Sequence, residues 1–308
     1  MNSYQSLEDA ARQACESIGV DFKSVPADGR FHAADIADDH HGKNDGRIKI
    51  FPDRQGGIVW NFKSGQKQLF FLNNHNAGTS TTQEERQRIK AEQEKRRLEI
   101  KTKQDKAAHR ARAIWQSAKP APPDHPRLIR KRHKPFMARV GCWTRNIQDE
   151  NGNRKKLVID NCLLLPLYNE RGNLRNIQGI FPEDSPELGR SKDFMPGAEL
   201  SSMFSWIGEK TQDICLSEGF STGATIHQET GCRTYIAYSA NNLLNVARII
   251  RRHLPDAKII VCADNDKSGT GQKYANEAAL VVDGLVAMPP ILGMDFNDYA
   301  AHLQDANQ

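Results

Sequence analysis

The run Asp213-Ile-Cys-Leu-Ser-Glu218-Gly219-Phe220, answered further on by Ile259-Ile-Val-Cys-Ala-Asp264-Asn265-Asp266, decides the fold. Each half is a short apolar stretch that ends in acid. A strand buried on both faces reads as a continuous Val/Ile/Leu-rich run, and ligands of open α/β sheets gather beyond the carboxyl ends of such strands. Residues 214–217 therefore deliver Glu218, and residues 258–263 deliver Asp264 and Asp266, to one edge. Three carboxylates there repel one another unless a cation lies between them. Mg²⁺, which is held by one or two carboxylates together with substrate phosphates, suits such a set. The edge reads as a phosphoryl-transfer site.

Around this pair of segments, strand and helix signals alternate over residues 214–217, 221–229, 234–238, 243–254, 258–263, 272–282 and 285–288. Gly231 closes the first helix and Pro255 follows the second. Alternation of this kind implies right-handed crossovers and a parallel sheet flanked by helices. Asp295-Phe-Asn-Asp298 then opens a short last helix. Either acid can be a helix cap or a late contributor to the acidic edge, and the sequence does not separate the two.

The Glu218-Gly219 pair and Asp264-Asn265-Asp266 resemble the signature of the Toprim family, the metal-binding domain shared by bacterial primases, topoisomerases and some nucleases. The segment Glu218-Gly-Phe-Ser-Thr-Gly-Ala-Thr-Ile-His227 is similar to the Glu-Gly-Tyr-Ala-Thr-Ala motif of primases carried by conjugative plasmids and satellite phages. Phe220 stands for the usual Tyr, Ser221 for the first Ala and Gly223 for the second. The resemblance implies a DNA primase that makes short RNA primers on a single-stranded DNA template from ribonucleoside triphosphates. Glu218, Asp264 and Asp266 would then be the catalytic, metal-binding acids for Mg²⁺ or Mn²⁺, with Asp295 or Asp298 completing the site. Whether Glu218 binds metal or accepts a proton stays open.

Nucleotide contacts fall to Gly219, Ser221, Thr222, Asn241, Lys267 and Lys273. Backbone N–H groups at the start of the helix after Gly219 can receive a phosphate, and Gly219 is expected to let the chain turn sharply. Caps account equally for the hydroxyls and for Asn241 or Asn242, and Lys267 and Lys273 also read as ordinary surface lysines. His227, on an apolar helix face, reads as packing. Two rivals remain: a Toprim nuclease using water as nucleophile, and a non-catalytic single-stranded-DNA-binding protein.

Upstream, residues 120–207 begin with the basic cluster Arg127, Arg130, Lys131, Arg132 and Lys134, then a hairpin turning at Asn169-Glu-Arg-Gly172. The segment from Asp124 to Pro135 resembles the basic wall that precedes the catalytic part of these primases, which makes it the expected DNA-binding surface. Residues 79–119 form a charged helical linker, with strong helix formers and no Pro before Pro120, touching the next domain through Ile114 and Trp115. Residues 1–78 read as a small α+β module: a helix capped by Ser6, then hairpin strands around residues 30–32, 46–51 and 57–62. Its Phe51, Trp60 and Phe62 either stack bases from an exposed face or fill the core, and a small sheet's need for aromatics favours the core. His32, Asp35, Asp38, Asp39, His40 and His41 match no compact metal-ligand spacing and read as a solvated loop.

The whole is thus expected to be α/β: a Toprim domain at 208–308 behind a basic α+β part, a helical linker and the N-terminal module. The 308 residues, 38% hydrophobic and net charge +5, describe a polar chain permissive of nucleic acid. No apolar run approaches the ~20 residues that span a bilayer, and no signal peptide begins it, so no membrane is involved and the cytoplasm is the expected location. The six cysteines show no Cys-x-x-Cys, which excludes an ordinary zinc ribbon. No Walker A sequence occurs, so unwinding would fall to a separate helicase.

Overall fold

A computed structural model describes residues 6–37, 44–72, 83–148 and 152–306. The chain forms two compact units, residues 1–90 and 91–308.

In the first unit, helix α1 (Leu7–Ser17) starts at Ser6, whose hydroxyl accepts the Asp9 N–H at 3.1 Å. An antiparallel sheet follows in sequence order: β1 (His32–Ala34), β2 (Gly46–Ile50), β3 (Gly56–Asn61) and β4 (Lys67–Phe71). Ile48, Ile50, Val59 and Phe70 pack under Ala10, Ala11, Ala14 and Cys15 of α1. The expectation that Phe51, Trp60 and Phe62 fill this core is overturned. Phe51 and Trp60 are half-buried and Phe62 is exposed. Side chains alternate along a strand, so the register that turns the aliphatics toward α1 turns these aromatics to the opposite face. The hairpin reading also passed over β4, where only Phe70 is buried. Of the His/Asp-rich stretch, His32 meets Asp28 at 3.0 Å and Asp35 accepts the Asn44 N–H at 2.7 Å. Asp38, Asp39, His40 and His41 lie outside the described residues.

Helix α2 (Gln83–Ser117) is 35 residues long. Near its end, Ala107 and Ala111 pack without exposure against Trp143, Leu164 and Phe181, with Ile114 and Trp115 half-buried beyond them. Docking thus begins before Ile114, because small alanines let the helix approach closely. The segment is not a free spacer along its whole length.

An antiparallel sheet of order β5-β6-β7-β8-β9 comes next: β5 (Lys119–Pro120), then helix α3 (Pro126–Lys131), β6 (Arg139–Gln148), β7 (Arg154–Tyr168), β8 (Leu174–Ser185) and β9 (Arg190–Phe194). The β7–β8 turn is the expected one, with Asn169 Oδ1 accepting the Arg171 and Asn173 N–H groups.

The last sheet has the order β10-β12-β11-β13-β14. Its elements are β10 (Ser205–Ile207), β11 (Asp213–Ser217), α4 (Phe220–Thr230), β12 (Arg233–Ile236), α5 (Leu243–His253), β13 (Lys258–Cys262), α6 (Thr270–Val281), β14 (Leu285–Ala287) and α7 (Phe296–Ala306). All neighbours are parallel except β10, which runs antiparallel to β12. A boundary at 207/208 would therefore cut a strand from its sheet. Ile214, Leu216, Ile259 and Val261 are wholly buried, as expected for strands covered on both faces. Helix α5 turns Leu243, Val246, Ala247 and Ile250 inward. Its last-turn Arg251 donates to the carbonyls of Val282, Pro255 and Ala257, beside the negative end of the helix. Helix α4 lies so close to the sheet that a Cβ at Gly223 would stand 2.6 Å from Ser217 Oγ. Among the described residues no helix is long and apolar enough to cross a membrane.

Candidate active site

Strands β11 and β13 pair in parallel, with Ser217 opposite Cys262. Glu218 and Asp264 consequently leave neighbouring strands at the same edge. Their environments differ. Burial raises the Glu218 pKa, Lys192 opposes the rise and Asp266 adds to it. Asp264 is pushed up to about 7, first by burial and then by the charges of Asp295, Glu218 and Asp266, with Lys192 again opposing. Its Oδ1 is buried without a hydrogen-bond partner. Asp266 moves the other way. Ser268 Oγ donates to its Oδ1 at 2.5 Å, and the Ser268 and Gly271 N–H groups donate at 2.8 and 2.9 Å, which together hold its pKa below the usual value. It is an ionised carboxylate rooted in the start of α6.

The two late acids separate. Asp295 Oδ1 accepts the Asp298 N–H at 2.8 Å, and Oδ2 accepts Thr222 Oγ at 3.2 Å. It both caps α7 and adds its charge to Asp264. Asp298 instead pairs with Lys131 Nζ at 3.0 Å, and so is tied to α3.

Asn265, between the two strand-end acids, is buried. Its Nδ2 donates to the Pro289 carbonyl at 2.9 Å, and its Oδ1 accepts Gln272 Nε2 at 2.9 Å. Its N–H donates to the Met294 carbonyl at 3.1 Å, and its own carbonyl accepts the Gly293 N–H. Asn265 thereby straps down the loop that carries Asp295. The sequence analysis passed over it, although alternation was the available signal: if Asp264 and Asp266 share one side, residue 265 points to the other. Lys192, on β9 of the other sheet, gave no local signal at all.

The expected nucleotide residues divide likewise. Gly219 caps α4 with an extended φ of −101°, so no sharp turn requires glycine there. A Cβ at Gly219 would meet only Thr222 Oγ, at 3.6 Å, which leaves open space over the helix start. Thr222 is buried on Asp295, whereas Ser221 Oγ lies 3.2 Å from Nε2 of the buried His133. Asn241, Lys267 and Lys273 are exposed. Asn242 is internal, accepting the Ser202 N–H and donating to the Met203 and Ala237 carbonyls.

Three members of the basic cluster, Arg130, Lys131 and Arg132, have partners within the protein, while Arg130, Arg132 and Lys134 remain exposed. Arg130 donates to the Pro182 carbonyl and lies 3.8 Å from Glu183. Lys131 holds Asp298, and Arg132 grips both carboxylate oxygens of Asp305 at 2.6 and 3.2 Å. The Lys134 N–H donates to Gln228 Oε1, and burial lowers the pKa of Arg127. Acids of β8 and α7, distant in sequence, pair with the side chains of Arg130, Lys131 and Arg132.

Among the described residues no three of the acids close on one point as a finished metal cage. The donors nonetheless suit Mg²⁺, which keeps several waters and takes few protein ligands. Asp264 offers an unpartnered buried oxygen beside the negative charges of Glu218, Asp266 and Asp295.

Residues 213–304, which carry these acids and the parallel strands, match the family model described as the Toprim domain. The chain is similar to the DNA primase TraC of Escherichia coli, 23% identical over 277 residues that cover 85% of this chain and 18% of that protein. A second Escherichia coli DNA primase TraC is 30% identical over 97 residues, 29% of this chain and 9% of its own length. The chain therefore spans under a fifth of the length of these relatives. Similar solved structures include the RNA polymerase domain of the Mycobacterium tuberculosis primase DnaG with double-stranded DNA, at 16% identity and a TM-score of 0.44, covering 66% of this chain and 79% of that one. The Aquifex aeolicus primase, with its zinc-binding and RNA polymerase domains, aligns at 11% identity and a TM-score of 0.43, over 99% of this chain and 84% of its own.

Proposed function

We propose that this chain synthesises RNA primers on single-stranded DNA by template-directed nucleotidyl transfer from ribonucleoside triphosphates, in the replication or transfer of a plasmid or phage. The observation that carries the reading is Asp264 Oδ1, buried and unpartnered, on a carboxyl surrounded by the charges of Glu218, Asp266 and Asp295. Burial and neighbouring like charge disfavour the carboxylate form of such an acid, and a cation beside it would reverse that preference.

In the reaction a 3′-hydroxyl attacks the α-phosphate of the incoming nucleotide, and pyrophosphate leaves. Asp264, Asp266 and Asp295 would hold Mg²⁺, or Mn²⁺ in its place. When bound, the ion lowers the pKa of the attacking hydroxyl and neutralises the charge that develops on phosphate. Glu218, whose pKa burial raises, suits the role of acceptor for the hydroxyl proton. Lys192 brings positive charge toward Glu218 and Asp264 and would help to draw in the triphosphate. The open start of α4 at Gly219 offers backbone N–H groups to a phosphate. Asn241, Lys267 and Lys273 stand exposed for further nucleotide contacts. A separate helicase would supply the unwound template.

The test is incubation of the protein with single-stranded DNA, radiolabelled ribonucleotides and Mg²⁺. Template-dependent incorporation into short RNA supports the proposal. Cleavage of the template without incorporation would reassign the acids to a nuclease. Neither product, with binding retained, would leave a DNA-binding protein.

A further inference from the structure

The sheet of the first unit has one face under α1 and one that is aromatic and basic. Cross-strand register sets Arg47 opposite Trp60 and Trp60 opposite Lys67, with Lys49 opposite Ile58 and Ile58 opposite Leu69 in the next row. The rings form a connected strip. Trp60 lies 4.2 Å from Phe62 and 6.2 Å from Phe31 between centroids, and Phe51 lies 6.2 Å from Phe71. Lys49 Nζ joins the two groups, 5.6 Å from the Phe31 ring and 5.8 Å from that of Phe51. Arg47 sits over Phe62 at 4.9 Å and Lys67 over Trp60 at 4.2 Å. Phe31 is 43% exposed, Phe62 42% and Phe71 54%, a wet surface for so many large rings. Gly56, opposite Phe71, keeps the sheet bare beneath that ring: a Cβ there would stand 2.7 Å from Phe71 Cδ1.

Three properties of this face bear on its occupant. Trp60 and Phe71 present their rings from strands, and Phe31, Phe51 and Phe62 do so from residues directly adjoining strand ends. Arg47, Lys49 and Lys67 stand among them, and no residue of the two cross-strand rows is acidic. Lastly, Lys49 and Lys67 rest on rings and can swing their charged heads to a neighbouring anion while a flat group takes their place. Arg47, by contrast, is fixed by one guanidinium nitrogen that donates to the Asn44 and Gly46 carbonyls, and it offers its others from a set position. Exposed rings interleaved with cations match a polymer that alternates flat bases with phosphates. An apolar protein partner would gain nothing from the cations and would have to desolvate them.

We infer that this face is a binding surface for single-stranded nucleic acid, with bases stacked on Trp60, Phe62 and Phe71 and phosphates held by Arg47, Lys49 and Lys67. It deepens the proposed function by naming a hold on the single-stranded template, and rests on that reading for the biological strand though not for binding itself. Stacking takes any base and calls for no zinc ribbon.

The full chain is tested in chelator without nucleotides. Oligothymidylate and oligouridylate carrying 5-iodouracil are photo-crosslinked and the attached peptides mapped, while anisotropy gives affinity. Crosslinks should fall on Trp60, Phe62 or Phe71 with either strand, and preferential labelling by DNA names DNA as the ligand. Trp60→Ala should weaken binding about tenfold, the usual scale for one stacked base. Should Trp60→Ala disturb the sheet, the triple variant Arg47→Ala, Lys49→Ala, Lys67→Ala leaves the rings in place. It should reduce the log–log salt slope by about 2, at about 0.7 per phosphate contact. Crosslinks confined to residues 91–308, or an unchanged slope, would overturn the inference. Crosslinking by a protein that makes no primers would keep this face and remove the proposed activity; primer synthesis without crosslinks here would do the reverse.

Discussion

The hydroxyl of Thr222, in the first turn of α4, donates to Oδ2 of Asp295 at the start of α7, 3.2 Å away and 73 residues on. This bond joins the first acidic motif to the last. It fixes the carboxylate whose charge helps to raise the Asp264 pKa. Thr222→Val keeps the branched shape and removes the donor, and should cost about 1.5 kcal/mol, the scale for a hydrogen bond to a charged group. Thr222→Ser should melt within a few degrees of wild type. If Asp295 serves the reaction, Val also lowers primer yield and Ser restores it; equal yields from the two would detach the bond from catalysis.

Lys131 and Arg132 should matter to folding before they matter to DNA. Their partners Asp298 and Asp305 lie on α7, so these pairs fasten α7 to α3. Lys131→Ala with Arg132→Ala should expose the α7 backbone to hydrogen exchange while changing the log–log salt slope of DNA binding by less than about one. A loss of about 1.4 in slope, at about 0.7 for each of two phosphate contacts, would return the cluster to the role its sequence suggested.

How much was legible follows from where each signal resides. The strands and helices from residue 213 onward were readable because hydrophobic period and turn residues are local, and the acids followed from the ends of those strands. Long-range placement was not. Nothing near Lys192 announces that β9 carries it toward Glu218 and Asp264, and nothing near Arg132 announces Asp305. The small strand β10 was lost for the same reason: three residues hold no period, and its partner β12 comes later in the chain. In the first unit β2 and β3 were readable, but β4 was passed over and the direction of Trp60 was not legible. A two-residue period fixes two faces and leaves open which one is covered, and that is settled by where α1 lands.

Asp264 and Asp266 should respond differently to removal. Between an ordinary carboxylate value of 3.8 and about 7, the native Asp264 keeps a proton that the unfolded chain releases. The stability it contributes is therefore fully present below 3.8 and lost as pH rises through about 7. Asp264→Asn should abolish primer synthesis, remove this decline from the pH dependence of melting in chelator, and melt above wild type at pH near 8. Mg²⁺ should raise the wild-type melting temperature there and the variant's much less. Asp266→Ala should also abolish synthesis, but at a stability cost of about 1 kcal/mol, because its carboxylate caps the start of α6. Identical pH profiles for wild type and Asp264→Asn would show that the acid does not titrate in this window.

Glu218→Gln should be more damaging than any single change among Lys267, Lys273 and Ser221. The two lysines are exposed, and Ser221 Oγ meets His133, so none of the three touches an acid of the cluster. Substituting them should raise the nucleotide concentration needed for half-maximal rate by a few-fold, and saturating ribonucleotide should restore the rate. Glutamine at 218 keeps the size and one acceptor oxygen, yet it cannot carry charge to a cation or take a proton. Losing a general base typically costs about 10²–10⁴ in rate, and no amount of nucleotide replaces it. Titrating ribonucleotides against each variant at fixed Mg²⁺ separates the two kinds of defect. Recovery of Glu218→Gln to the wild-type rate at saturation would reduce Glu218 to a residue that positions substrate, leaving the proton to another acceptor.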